Sequence, residues 1–254
     1  MNKSFLIGAV SACAITLSSF TAHAVPVSGQ GTWESTLQGR NLDGNVATFE
    51  AYYDTTLDIT WLADANAAGS NMTTFADASA WAAGLNVYGV TGWRLPIQSP
   101  INGTAYQLGA LSTDATTDKG YAPTTTDGTD GGWRDALGNP VSEMGHMYYV
   151  TLANLGFCDP GLPWCTEQSG WGASNTGPFA NAANFFFTTD AFNNPWLFNF
   201  SAGSKTPNAF GNFANVFAWA VHPGDVGSVP VPAAVWLFGS GFLGLISVAR
   251  VNKA

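Results

Sequence analysis

The chain has 254 residues, 46% of them hydrophobic and only 10% charged, with a net charge of −9. Between residues 25 and 228, five Lys and Arg face all seventeen Asp and Glu, a net of −12. A body that acidic repels phosphate backbones, which argues against nucleic-acid binding, while its apolar content is ample for a core rather than a disordered chain.

The first element is an export signal. "MNKSFLIGAVSACAITLSSFTAHAVPV" has one cation, Lys3, an apolar run from Phe5 to Leu17, and small residues at Ala22-His23-Ala24. That order is a secretory signal peptide over 1–24, cleaved after Ala24, so the mature chain is expected to begin at Val25 and work outside the cytoplasm. Residues 25–49 form a lead-in segment with no predicted element. Alternation at Ala47, Phe49, Ala51 and Tyr53, then at Leu57, Ile59 and Trp61, predicts two short strands. Asp54 and the threonines of "YDTTLD" supply the turn chemistry between them.

Phe75, Ala78, Trp81, Ala82 and Leu85 recur at helical spacing, with Thr73 or Thr74 as N-cap and Asp77 in the first turn. Gly89 and Gly92 are expected to end that helix, and Pro96 biases Leu95 towards extended backbone. Residues 99–139 read as loop. Asp127, Asp130 and Asp135 lie among glycines there and could hold a hard cation, but their spacing is not that of a calcium loop, so an acidic surface turn is the favoured reading. Met147–Leu152 reads as a strand.

Cys158 and Cys165, in "CDPGLPWC", are the two cysteines of the mature chain. In an exported protein this pair predicts one small disulfide loop; a redox pair sits closer, and a metal site needs more ligands than His146 and His222 readily supply. The aromatic stretch from Phe185 to Trp219 predicts strands whose rings are mostly core. Some of those rings could instead line a sugar-stacking surface beside Asn side chains.

Asp54, Trp61, Trp81, Gly89, the Trp93-Arg94-Leu95-Pro96 word, Trp219 and Val221 fall in an order that resembles the DUF1566, or Lcl C-terminal domain, family over residues 50–225. The chain departs from the family pattern in "IQSPINGTAYQLGAL" after Pro96 and in His222, where relatives usually carry Arg. The resemblance implies an α+β, C-type-lectin-like (sulfatase-modifying-factor-like) fold. Some relatives bind sulfated polysaccharides, a class of ligand that a net −12 body disfavours. Read from its own chemistry, Arg94 is a structural residue, expected to pair with Asp54, Asp58 or Asp64, or to donate to backbone carbonyls, and so to lock helix to sheet.

The C-terminal end is the last element. Residues 233–249 carry no charge and are followed by Arg250 and Lys253. Seventeen helical residues reach about 25 Å, close to a transmembrane span, with the basic pair as stop-transfer residues on the inner side. A plain anchor accounts for that much. The preceding Val229-Pro230-Val231-Pro232-Ala233 makes 226–254 resemble a PEP-CTERM sorting signal of the Val-Pro-Leu-Pro-Ala type. That resemblance implies an exosortase-like membrane transpeptidase as partner, transient anchoring in the inner membrane, and delivery to the cell surface, outer envelope or exopolysaccharide matrix. The two prolines cannot continue a helix, so they hold an accessible extended peptide at the bilayer surface.

His146 and His222 belong to no nucleophile motif, and no cofactor or metal is expected. The expected role is therefore a non-enzymatic surface or biofilm-matrix protein. A carbohydrate-binding or adhesion module is the alternative, and a glycosidase-like enzyme, needing two carboxylates about 5–10 Å apart, is a third.

Overall fold

The computed structural model describes residues 30–45, 47–124, 131–162, 164–182, 185–207 and 216–227. The signal peptide, the box Val229–Ala233, the segment 233–249, Arg250, Lys253, Asp127, Asp130, Phe210 and Phe213 lie outside the described residues.

The lead-in segment holds two elements that the sequence did not predict. A single turn, α1 (Trp33–Thr36), runs into β1 (Leu37–Arg40). β1 pairs antiparallel with β2 (Ala51–Asp54), which pairs with β3 (Ile59–Leu62) in the register Asp54 opposite Ile59. β9 (Val221–Pro223) closes this sheet on the far side of β3, giving the order β1-β2-β3-β9. The first and last strands among the described residues thus share one sheet. The Arg40 guanidinium ties them further, donating from Nε and Nη2 to the two oxygens of Asp225 at 2.5 and 2.7 Å.

The turn between β2 and β3 forms as the sequence predicts. Asp54 Oδ1 accepts from the backbone N–H of Thr56 and Leu57, and Asp58 adopts φ 52° to reverse the chain. Helix α2 (Phe75–Gly84) is also as predicted, with Thr74 Oγ1 accepting from Asp77 N–H. It ends at Gly84, earlier than Gly89 and Gly92 suggest, because Leu85 turns to extended backbone. Ala78 and Ala82 are its buried residues, and Phe75 meets Phe187 edge-on at 6.0 Å.

The second sheet has the order β4-β5-β6-β7: β4 (Ile97–Gln98), β5 (Phe185–Asp190), β6 (Pro195–Asn199) and β7 (Ser204–Pro207). β8 (Val216–Phe217) and β4 both run parallel to β5, at opposite ends of the same edge. The result is α+β, mostly sheet with few short helices.

One expectation fails outright. Met147–Leu152 is not a strand: α3 (Glu143–His146) continues into a π turn over Met147–Thr151, closed by Leu152 N–H to Met147 O at 2.9 Å. Ser142 caps α3 by accepting from Gly145 N–H. Met147 to Thr151 are all buried, so no polar face marks the helix, and Tyr-Tyr-Val-Thr reads locally as β. Burial and the Ser142 cap override that preference. Gly203 permits the packing: it sits at φ +79°, and a Cβ there would fall 2.6 Å from both Tyr148 and Tyr149.

The core sits between the sheets, and Trp219 is its centre. Its ring meets Trp61 and Phe179 at 4.9 Å, Phe186 at 5.6 Å and Phe200 at 5.8 Å, and its Nε1 donates to Leu62 O at 2.8 Å. Residues 218–220 carry the chain from β8 in one sheet to β9 in the other, which puts this indole between them. Most aromatics of the stretch are core as expected; Phe185 and Phe192 are exposed.

Candidate functional site

The word Trp93-Arg94-Leu95-Pro96 joins the two sheets. Arg94 exchanges both backbone hydrogen bonds with Val221 of the first sheet, at 2.8 Å each, and Pro96 O accepts from Thr189 N–H of the second at 2.9 Å. Trp93 and Leu95 are buried, and the Trp93 ring lies 5.6 Å from that of His222. The Arg94 side chain takes none of Asp54, Asp58 or Asp64 as partner. It forms a two-pronged pair with Glu143 at 2.7 and 2.8 Å and donates to Leu95 O at 3.0 Å. Glu143 Oε2 also accepts from Ile97 N–H at 2.7 Å. Arg94 therefore locks α3 to the inter-sheet connection. Glu143 is the residue that sequence reasoning missed; its one local signal is its place after the capping Ser142.

The three carboxylates expected for Arg94 have other work. Asp58 accepts from Tyr53 Oη, and Asp64 from Asn66 N–H and Asn181 Nδ2, all at 2.8 Å. Asp54 is wholly buried, and burial raises its pKa to about 6, pushed further by Glu143 and held back by the Leu57 and Thr56 amides and the Trp61 indole. Among the described residues, Asp54 Oδ2 and Trp61 Nε1 are buried without a hydrogen-bond partner.

Asp54 gives a pH test. Its pKa is higher folded than unfolded, so the folded state holds the proton longer. Stability then falls as pH rises from about 4 to about 6, by ~3 kcal/mol for this group, and is flat above. Asp54→Asn keeps an oxygen for the Thr56 and Leu57 amides and cannot ionise. Urea unfolding of the variant minus wild type should gain about 2–3 kcal/mol between pH 4 and pH 7. Parallel profiles would mean that Asp54 does not carry a buried charge.

Two further ionisable groups are buried. Lys205 is 1% exposed, its Nζ sits 4.5 Å from the Trp133 ring centre with no hydrogen-bond partner among the described residues, and burial lowers its pKa to about 7. His146 is 2% exposed with both ring nitrogens unpaired among the described residues, and burial drops its pKa to about 3. Neither is open to a substrate. Asp118, also buried, orders the 99–124 loop by accepting from Ile101 and Gln107 N–H. Asp135 accepts from Leu137 and Asn139 N–H, the work of a turn residue, and its Asn139 contacts hold its carboxyl below the usual range.

Among the described residues the surface includes a groove and a hairpin with exposed aromatic rings. The groove, of about 330 Å³, is lined by Phe49, Leu62, Leu85 and Val87, with Glu50 and Asp64 at its edge. Glu50 is tied down, accepting from Leu42 N–H at 2.7 Å and Thr48 Oγ1 at 3.1 Å. The other feature is the disulfide hairpin. Cys158 and Cys165 are bonded, as the sequence predicts, and the arms pair through Asp159 N–H to Thr166 O and Gln168 N–H to Phe157 O. Trp164 at its tip is 68% exposed and Trp171 on its second arm 37%.

No family model, curated protein or solved structure matches the chain. Any site must therefore be argued from its own geometry. Of the residues named from sequence, Arg94, Pro96, Trp93 and Trp219 meet at the junction of the sheets, with Asp54 and Trp61 beside it on β2 and β3. Trp81 lies apart on α2, half-buried against the core.

Proposed function

We propose that this chain is an exported, non-enzymatic cell-surface or exopolysaccharide-matrix protein, anchored briefly in the inner membrane and sorted by an exosortase-like transpeptidase. The observation that carries the reading is the order at the C-terminus: Val229-Pro230-Val231-Pro232-Ala233, an uncharged stretch to residue 249, then Arg250 and Lys253. The bonded Cys158–Cys165 pair fits an oxidising compartment. A C-type-lectin-like ectodomain of the DUF1566 type is part of this proposal. It is supported by the pairing of terminal strands in one sheet and by the clustering of Trp93, Arg94 and Trp219 where the sheets join. Support for a non-enzymatic role comes from burial: Asp54, His146 and Lys205, whose pKa values burial displaces, are 0–2% exposed.

The test is substitution of the box. In the native host, Pro230→Ala with Pro232→Ala should leave the full-length chain in the membrane fraction, whereas wild type leaves it. Equal release of both would defeat the sorting assignment.

A carbohydrate-binding or adhesion role is the second reading, favoured by the exposed indoles of Trp164 and Trp171. The glycosidase-like reading has less support, because Glu50 and Asp64 at the groove already hold backbone amides and Asn181 in place.

A further inference from the structure

We propose that the disulfide hairpin binds a polysaccharide bearing free amino groups, with Trp164 and Trp171 as stacking platforms and Asp159 and Glu167 as partners for the ammonium groups. The proposal rests on the carbohydrate-binding reading and adds the site and the class of glycan.

The hairpin is held too firmly for its exposed rings to be stray. The bridges Leu155 to Gly172 and Cys158 to Glu167 align the arms, and the disulfide closes the tip. Gln168 Nε2 donates across to Gly156 O and Cys158 O. Phe157 N–H reaches Ala202 O at 2.8 Å, and Thr113 Oγ1 donates to Leu162 O at 3.0 Å, so both root and tip are fastened to the body.

Trp171 is oriented as well as exposed. Its Nε1 donates to Glu167 Oε1 at 2.7 Å, and Phe157 meets its ring edge-to-face at 4.9 Å and 83°. A rigid indole presents apolar area at low entropic cost, and the CH-rich face of a pyranose ring matches it while the sugar hydroxyls stay in water.

Charge selects among glycans. Residues 155–172 contain Asp159 and Glu167 and neither Lys nor Arg. Among the described residues the ion pairs are Arg40 with Asp225 and Arg94 with Glu143, so no cation neutralises the hairpin acids. Together with the net −12 of residues 25–228, this field repels sulfated or uronic polymers and attracts ammonium groups. A lipid surface with anionic headgroups is repelled for the same reason.

The test uses the mature protein recovered from its host and two probes, a β-1,4-glucosamine hexamer and its fully N-acetylated counterpart, titrated by calorimetry near 0.15 M salt. The glucosamine hexamer should bind at least tenfold more tightly. Trp164→Ala and Trp171→Ala should each weaken it about tenfold. Trp164→Ala should leave thermal unfolding unchanged because its ring is 68% exposed, whereas Trp171→Ala also loses the Phe157 contact and the bond to Glu167 and should lower the melt slightly. Glu167→Gln retains an acceptor for Trp171 Nε1 and should erase part of the preference for the amine. Equal binding of the two hexamers, indifference to all three substitutions, or Trp164-dependent binding to phosphatidylcholine vesicles in place of glycan would overturn the proposal. Absence of hexamer binding by a protein still recovered processed from the matrix would overturn it while leaving the matrix assignment standing.

Discussion

Trp219→Ala should cost the protein about 4–5 kcal/mol, against a total stability of about 5–15 kcal/mol for a domain. The indole is fully buried, touches rings from both sheets, and donates its N–H to Leu62 O. Truncation leaves a cavity between the sheets and an unpaired Leu62 carbonyl, and the two losses add. For a domain of this size the melting temperature should fall by roughly 10–15 °C. Phe192→Ala is the control, because that ring is 83% exposed and should move the melt very little. A drop of only a few degrees for Trp219→Ala would mean that the sheets do not close on this residue.

Arg94 is the second large effect. Arg94→Met strands Glu143, whose side chain is 17% exposed, and removes two charge-assisted hydrogen bonds. A fully buried pair would lose about 3–5 kcal/mol, and the remaining exposure of 26% and 17% reduces this to about 2–3 kcal/mol. Arg94→Lys should recover less than half, since an ammonium cannot make the two-pronged contact. The double variant Arg94→Met with Glu143→Gln should regain most of the loss in a urea melt, because no unpaired charge is left and the glutamine oxygen still accepts from Ile97 N–H. Were Arg94 a ligand-binding residue, the single variant would melt like wild type.

Local signals made part of this fold legible. The Asp54 turn, the Thr74 cap and the 75–84 helix each rest on side chains that bond within three residues, so composition and spacing reveal them. The disulfide was legible from the cysteine count and the expected compartment. Contacts spanning long stretches of chain were not. Glu143 is 49 residues from Arg94, and nothing near either names the other. Asp225 is 185 residues from Arg40, which is why β1 passed for a lead-in segment. The helix over Met147–Thr151 was misread because complete burial erases the periodicity that distinguishes helix from strand. For the surface, exposure is the missing quantity: the letters of Trp133 and Trp164 carry no sign that one is 1% and the other 68% exposed.

The central claim is the destination of the chain, and the most direct measurement is intact mass of the protein from its native host, separated into membrane, matrix and medium. The account predicts a species in matrix or medium that begins at Val25 and ends near Val229–Pro232, with the disulfide formed. A mass extending to Ala254, found in membranes alone, would contradict it and make the C-terminal segment a permanent anchor.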